Sequence, residues 1–188
     1  IEPYQPFTMY PATMVLHYGQ AIFEGMKAYR TEKGGIQLFR PQENFKRFSR
    51  SAHMLCMPEF DEDFALEALV KLLEVDKRWV PSAPGTSLYI RPSIIATDDY
   101  IGLRSSSTYR FFIILSPVGA YYPEGFDPVK IWVTKDYVRA VKGGVGEAKT
   151  AGNYAASLYA TELAQKDGYT QVLWLDGVRI CLLLMIHI

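Results

Sequence analysis

The sequence has no surplus of charge of either sign: its 188 residues hold 20 Lys+Arg and 20 Asp+Glu, a formal net charge of zero. That balance argues against general binding to nucleic acid or to an anionic membrane, both of which favour a basic excess. A local cationic pocket for a small anion stays open. Cysteine is scarce as well. Cys56 and Cys181 have no metal-ligand spacing and make no disulfide framework. No metal site is therefore expected, and the plain reading is a reducing, cytoplasmic home. Long apolar runs are missing too: the final "ICLLLMIHI" is far too short to span a bilayer. The opening "IEPYQPFTMY" has neither the basic start nor the apolar stretch of a leader, so none is expected. No internal repeat or low-complexity tract stands out.

What is present suits a packed protein of mixed α+β class. Hydrophobic residues make up 49% and charged residues 21%, enough to bury a core, and the length allows one large domain or two small ones. "MVLHYG", "GMKAYR" and "IQLF" are short β-rich runs. Pro41 then opens a helical pattern in which Phe45, Phe48, Ala52 and Leu55 recur at helical spacing. In a second helix, capped by Asp61, the residues Phe64, Leu69, Leu72 and Leu73 are expected to face the core. "SLYIRPSIIAT", "YRFFIILSPV" and "VKIWVT" follow as strands rich in β-branched and aromatic residues. A third helix is capped by Asn153, carries a Glu162/Lys166 pair and ends at Gly168. "TQVLWLDG" is a strand running into a turn suited to a hairpin. The expected organisation is a small N-terminal domain over 1–121, an interdomain segment over 122–134, and the start of a larger C-terminal domain over 135–188.

One stretch invites chemistry. "GGVGEAKTAGNY" loosens the backbone on both sides of a single cation, Lys149. Three jobs fit it: a solvated surface charge, a phosphate contact, or an amine that forms a Schiff base with a carbonyl. The spacing fails a Walker-type phosphate loop, because Glu147 and Ala148 intervene between the last glycine and the lysine. A Schiff-base amine must be uncharged, which calls for burial or nearby positive charge. Flanking glycines would let backbone approach a flat cofactor closely.

Four segments, "LHYGQAIFEGMKAYR", "LFRPQENFKRFSRSAHMLCMPEF", "GTSLYIRPSIIAT" and "GGVGEAKTAGNYAASLYA", together resemble the branched-chain amino acid aminotransferases. These belong to fold type IV of the pyridoxal-phosphate enzymes. The likeness runs nearly unbroken from the start to about Val178. It implies that Lys149 holds pyridoxal 5'-phosphate covalently and shuttles the substrate's α-proton. Tyr154, whose competing explanation is a core aromatic, would hydrogen-bond the cofactor's phenolic oxygen. Arg47, otherwise a solvated helix charge, would grip the cofactor phosphate with its planar fork.

On the substrate side the resemblance implies an aromatic pocket for a branched side chain, lined by Tyr18, Phe23, Tyr89, Arg91 and Tyr121. Core packing competes as the explanation for Phe23. Tyr89 and Arg91 alternate within a strand and so can face one side. Tyr121 would reach across a homodimer interface. The implied reaction is reversible amino transfer between leucine, isoleucine or valine and 2-oxoglutarate, yielding the branched-chain 2-keto acids and glutamate. After "LWLDGV" the family continues into a glutamate-bearing strand and most of a large domain, whereas this sequence reads "RICLLLMIHI". A truncated or misread product is the corresponding expectation. The rivals are an inactive fragment and another fold-type-IV enzyme, such as a D-amino acid aminotransferase or aminodeoxychorismate lyase.

Overall fold

The computed structural model describes residues 1–119 and 127–178, together with the backbone of residues 183–186. Two compact units divide the chain, Ile1–Tyr121 and Tyr122–Ile188.

The first unit begins with α1 (Met14–Tyr18), β1 (Ala21–Phe23), β2 (Met26–Arg30) and β3 (Ile36–Leu38). Helices α2 (Pro41–Met54) and α3 (Glu62–Val75) follow, then the long strands β4 (Ser87–Ala96) and β5 (Tyr109–Val118). All pairings in this sheet are antiparallel. Strand β4 pairs with β5 along its whole length on one edge; on the other, β1 covers residues 93–95 and β2 covers 88–90. Pro92 lies at that handover, where its missing N–H breaks no ladder bond, and its carbonyl accepts from Glu24 N at 2.9 Å. Strands β1 and β2 therefore follow one line along the same edge of β4 in a single register, interrupted at Glu24 and Gly25. Helices α2 and α3 bury Phe45, Phe48, Ala52, Ala65, Leu69 and Leu73 against Ile22, Ala28, Leu88 and Ile90 of the sheet.

Two expectations change here. "MVLHYG" is the single-turn helix α1 and not a strand: Met14 N donates to the Asp98 carbonyl at 2.9 Å, and Gly19, at φ 61°, ends the turn. A five-residue run is too short for its β-leaning residues to outweigh such contacts. Phe64 is 64% exposed and does not face the core; the neighbouring Ala65 does. The Asp61 cap is as expected, its carboxylate accepting from Phe64 N at 3.0 Å. Leu55 lies just past α2 and is only half-buried.

The loop after β4 is tied by Asp98. Its carboxylate accepts from the backbone of Ser107 and Thr108, from both their hydroxyls and from Arg104. These donors, Ser107 N–H and the Thr108 hydroxyl foremost, hold its carboxyl well below the usual carboxylate range. A depressed folded value means that the unfolded chain binds the proton first as pH falls. The stabilisation is complete above the unfolded value, near about 3.9, and is lost as pH drops below it towards the folded value. Asp98→Asn is accordingly expected to melt at a lower temperature at pH 7 and to show a flatter loss of stability below about pH 4. Thermal melts across that range check it; an unchanged acid slope would remove Asp98 from the account.

The second unit contains β6 (Ile131–Thr134), α4 (Ala151–Ala155), α5 (Leu158–Lys166), β7 (Gln171–Leu175) and β8 (Leu183–Ile186). Strands β6 and β7 run parallel, and β7 and β8 antiparallel. Parallel neighbours need a crossover, which the helical segment supplies. Ala160 and Ala164 of α5 pack on Val172 and Trp174 of β7. Strand β6 lies within the residues read from sequence as the interdomain segment, yet it pairs in this sheet. The single helix read from sequence is two, broken at Ala156 and Ser157. Glu162 and Lys166 pair at 2.8 Å, and Gly168, at φ 78°, follows the end of α5. Among the described residues no helix is long and apolar enough to cross a membrane.

Candidate active site

Lys149 stands between buried Ala148 and Thr150 at the entrance to α4, and is itself half-buried. Its Nζ donates to the Tyr154 hydroxyl at 2.7 Å. The five-residue spacing brings the two together because α4 begins between them and turns the tyrosine back over the loop. Asn153, expected as a cap, lies inside α4 instead. Its Nδ2 donates to the Val145 and Ala148 carbonyls, at 2.8 and 2.7 Å, and this staples the loop preceding the lysine. Gly146 is needed for contact within the protein: a Cβ there would lie 2.5 Å from that of Ala140. Close approach is thus used at this glycine to pack loop on loop.

Arg47 projects from α2 opposite the Glu24–Gly25 junction between β1 and β2. Its Nε and Nη2 donate to Glu24 Oε1 and Oε2, at 2.5 and 2.9 Å. The Glu24 carboxylate is wholly buried and also accepts from Asn44 Nδ2 and Gly25 N. Arg47 itself stays 47% exposed. It borders a cleft of about 340 Å³ with Arg40, Glu43, Asn44 and Arg50. A half-exposed fork oriented by a buried carboxylate, beside Arg40 and Arg50, suits an oxyanion.

Phe23, Tyr89 and Arg91 come together on the first unit's sheet. Arg91 Nη2 donates to the Tyr89 hydroxyl at 2.8 Å, and its guanidinium carbon lies 4.4 Å from the Phe23 ring centroid. Phe23 is half-buried and stacked under a cation, so it is not sealed in the core. Tyr18, half-buried at the end of α1, makes no hydrogen bond or ring contact with these three; its ring neighbour is His17 at 6.2 Å. Tyr121 lies outside the described residues.

The family model for class IV amino-transferases matches residues 21–181. The chain belongs to the class IV aminotransferase family. It is similar to branched-chain-amino-acid aminotransferase 2 of Bacillus subtilis (strain 168), 57% identical over 179 residues, which are 95% of this chain and 49% of that protein. The probable branched-chain-amino-acid aminotransferase of Streptomyces coelicolor is 51% identical over 180 residues, or 95% and 50% of the two chains. Among solved structures, a branched-chain amino acid aminotransferase from T.th., bound to pyridoxamine 5'-phosphate, matches at TM-score 0.76 and 28% identity. That match covers 90% of this chain and 55% of the other. The Escherichia coli branched-chain amino acid aminotransferase matches at TM-score 0.69 and 26% identity, covering 90% and 53%. The chain spans about half the length of the curated relatives it matches. The resemblance seen in the sequence and the α+β, fold-type-IV architecture both hold for this class IV aminotransferase chain.

Sequence reasoning passed over Glu24, although it stands inside the quoted "FEGMKAYR". The signal available was an acidic residue beside a glycine in an otherwise apolar strand run. Gly25 has its own reason: a Cβ there would collide with the Tyr89 hydroxyl. In this class IV aminotransferase chain, Gly25→Ala is expected to push the Tyr89 ring aside and break its bond to Arg91. The phenol of Tyr89 should then lose its Arg91-dependent NMR shift while the fold persists. An unmoved Tyr89 signal would show that the close approach is not what positions it.

Proposed function

We propose that the chain carries the chemistry of a pyridoxal-phosphate-dependent, branched-chain amino acid aminotransferase of the cytoplasm. It would move the amino group of leucine, isoleucine or valine to 2-oxoglutarate. The observation that carries this reading is the Lys149 amine held at 2.7 Å from the Tyr154 hydroxyl, in a chain of this family. An amine and a phenol side by side are the donor set that pyridoxal's aldehyde and phenolic oxygen call for, so the residues present fit the group. When bound, the cofactor supplies an electron sink for charge developing at the substrate's α-carbon.

The chain's own residues do the rest. Lys149 Nζ would bond the cofactor's aldehyde carbon at rest, with loss of water; once displaced by the substrate amine, it would take the proton from the substrate α-carbon and deliver it to that former aldehyde carbon within the same half-reaction. Tyr154 holds that nitrogen in position through its hydroxyl. Arg47, oriented by Glu24, grips the phosphate. Phe23 and Tyr89 offer apolar surface to an aliphatic side chain, and Arg91 with the Tyr89 hydroxyl offers donors to a carboxylate. Tyr18 and Tyr121 belong to the same proposed pocket, the latter reaching across a homodimer that light scattering would test.

Leucine and D-alanine, each offered with 2-oxoglutarate and pyridoxal phosphate, decide the substrate class. Glutamate should form from leucine; formation from D-alanine alone overturns the reading in favour of a D-amino acid enzyme. A second reading rests on the half-length match to the relatives: the 188 residues alone hold the cofactor without turning substrate over. Cofactor absorbance that depends on Lys149, with no glutamate formed, would favour it.

A further inference from the structure

A second cleft, of about 480 Å³, opens in the second unit among Arg139, Lys142, Glu147 and Asp176, with Val141 and Val178 as apolar wall. Neither Lys149 nor Tyr154 lines it. Arg139 is only 9% exposed, and its Nε and Nη1 are buried without any hydrogen-bond partner. Among the described residues it makes no ion pair either. A guanidinium keeps its charge in any folded protein, and a buried charge with no counter-ion is strongly unfavourable. The Asp176 carboxylate is engaged elsewhere, its Oδ1 accepting from Val178 N at 3.0 Å.

We propose that this cleft is a subsite for a small aliphatic monocarboxylate, with Arg139 as its counter-ion. The lining sets the charge. Glu147 and Asp176 line the cleft too, but neither is ion-paired with Arg139, so one negative charge beside that guanidinium is welcome while a dianionic phosphate also meets the two carboxylates. The lining also sets the tail, since Val141 and Val178 give a short branched chain apolar surface. The volume lies in the range of small-molecule pockets. Nothing here requires pyridoxal phosphate, so the subsite stands or falls apart from the proposed transamination.

The test uses the 188-residue chain with isovalerate, its neutral amide isovaleramide, and inorganic phosphate as probes, read by thermal melting and calorimetric titration. Isovalerate should raise the melting temperature saturably, while the amide and phosphate do not. Arg139→Met should bind isovalerate at least tenfold more weakly and, relieved of a buried unpaired charge, should melt higher than the parent without ligand. Lys149→Ala should bind isovalerate as the parent does. The proposal is overturned if the parent shows no shift, if phosphate binds as tightly as isovalerate, or if Arg139→Met binds undiminished or melts lower. Loss of binding in Lys149→Ala would also overturn it, by placing the carboxylate at the amine.

Discussion

Lys149→Ala is expected to abolish the pyridoxyl mass tag that borohydride leaves on cofactor-loaded chain, and to leave the fold intact. The side chain is half-buried, and its neighbourhood is held by others: Asn153 ties the Val145 and Ala148 carbonyls, and Ala148 and Thr150 are buried on either side. Alanine therefore removes the amine without removing what shapes the loop. Loss of a positioned acid–base group costs about 10²–10⁴-fold in rate by itself. Here the covalent attachment goes as well, so no tag should remain on any residue. Tyr154→Phe separates the two functions. It keeps Lys149 Nζ but removes the hydroxyl 2.7 Å away, so the tag should persist while any turnover falls. A tag found on another lysine, or an undiminished tag in Lys149→Ala, ends the proposal that this amine carries the cofactor.

The parts of the fold that were legible in the sequence are those where pattern runs long. Helix α2 announces itself through Pro41 and the Phe45, Phe48, Ala52 spacing, and all three of those apolar residues are buried. Strands β4 and β5, ten residues each, carry enough β-branched and aromatic side chains to be unmistakable. Short elements fail because contacts from elsewhere decide them. Helix α1 is settled by Asp98, over 80 positions away in sequence, and three-residue β1 is visible only through its pairing with β4. The break between α4 and α5 carries no proline or glycine to mark it. At the site, Lys149 and Tyr154 were singled out by the resemblance and not by any local pattern, and the fold brings Nζ and hydroxyl to 2.7 Å. Glu24 was not, because burial of a carboxylate depends on four donors, from α2 and from the junction between β1 and β2, that no local pattern displays.

Those four donors imply an asymmetry between Glu24 and Arg47. Arg47→Ala leaves the wholly buried Glu24 carboxylate with only Asn44 Nδ2 and Gly25 N, a loss expected to cost about 3 kcal/mol or more. Glu24→Gln leaves an arginine that is 47% exposed and can turn to water, so its cost should be smaller, about 1–2 kcal/mol. Urea unfolding of the two variants measures the difference. Equal losses would mean that the carboxylate is not buried as a charge. Both changes bear on the proposed cofactor grip. With Arg47 aimed by Glu24, pyridoxal phosphate should be preferred strongly over pyridoxal, and Glu24→Gln should erode that preference while the contact residue itself is still present. If Glu24→Gln keeps the full preference, the carboxylate serves the fold alone and Arg47 needs no support to hold a phosphate.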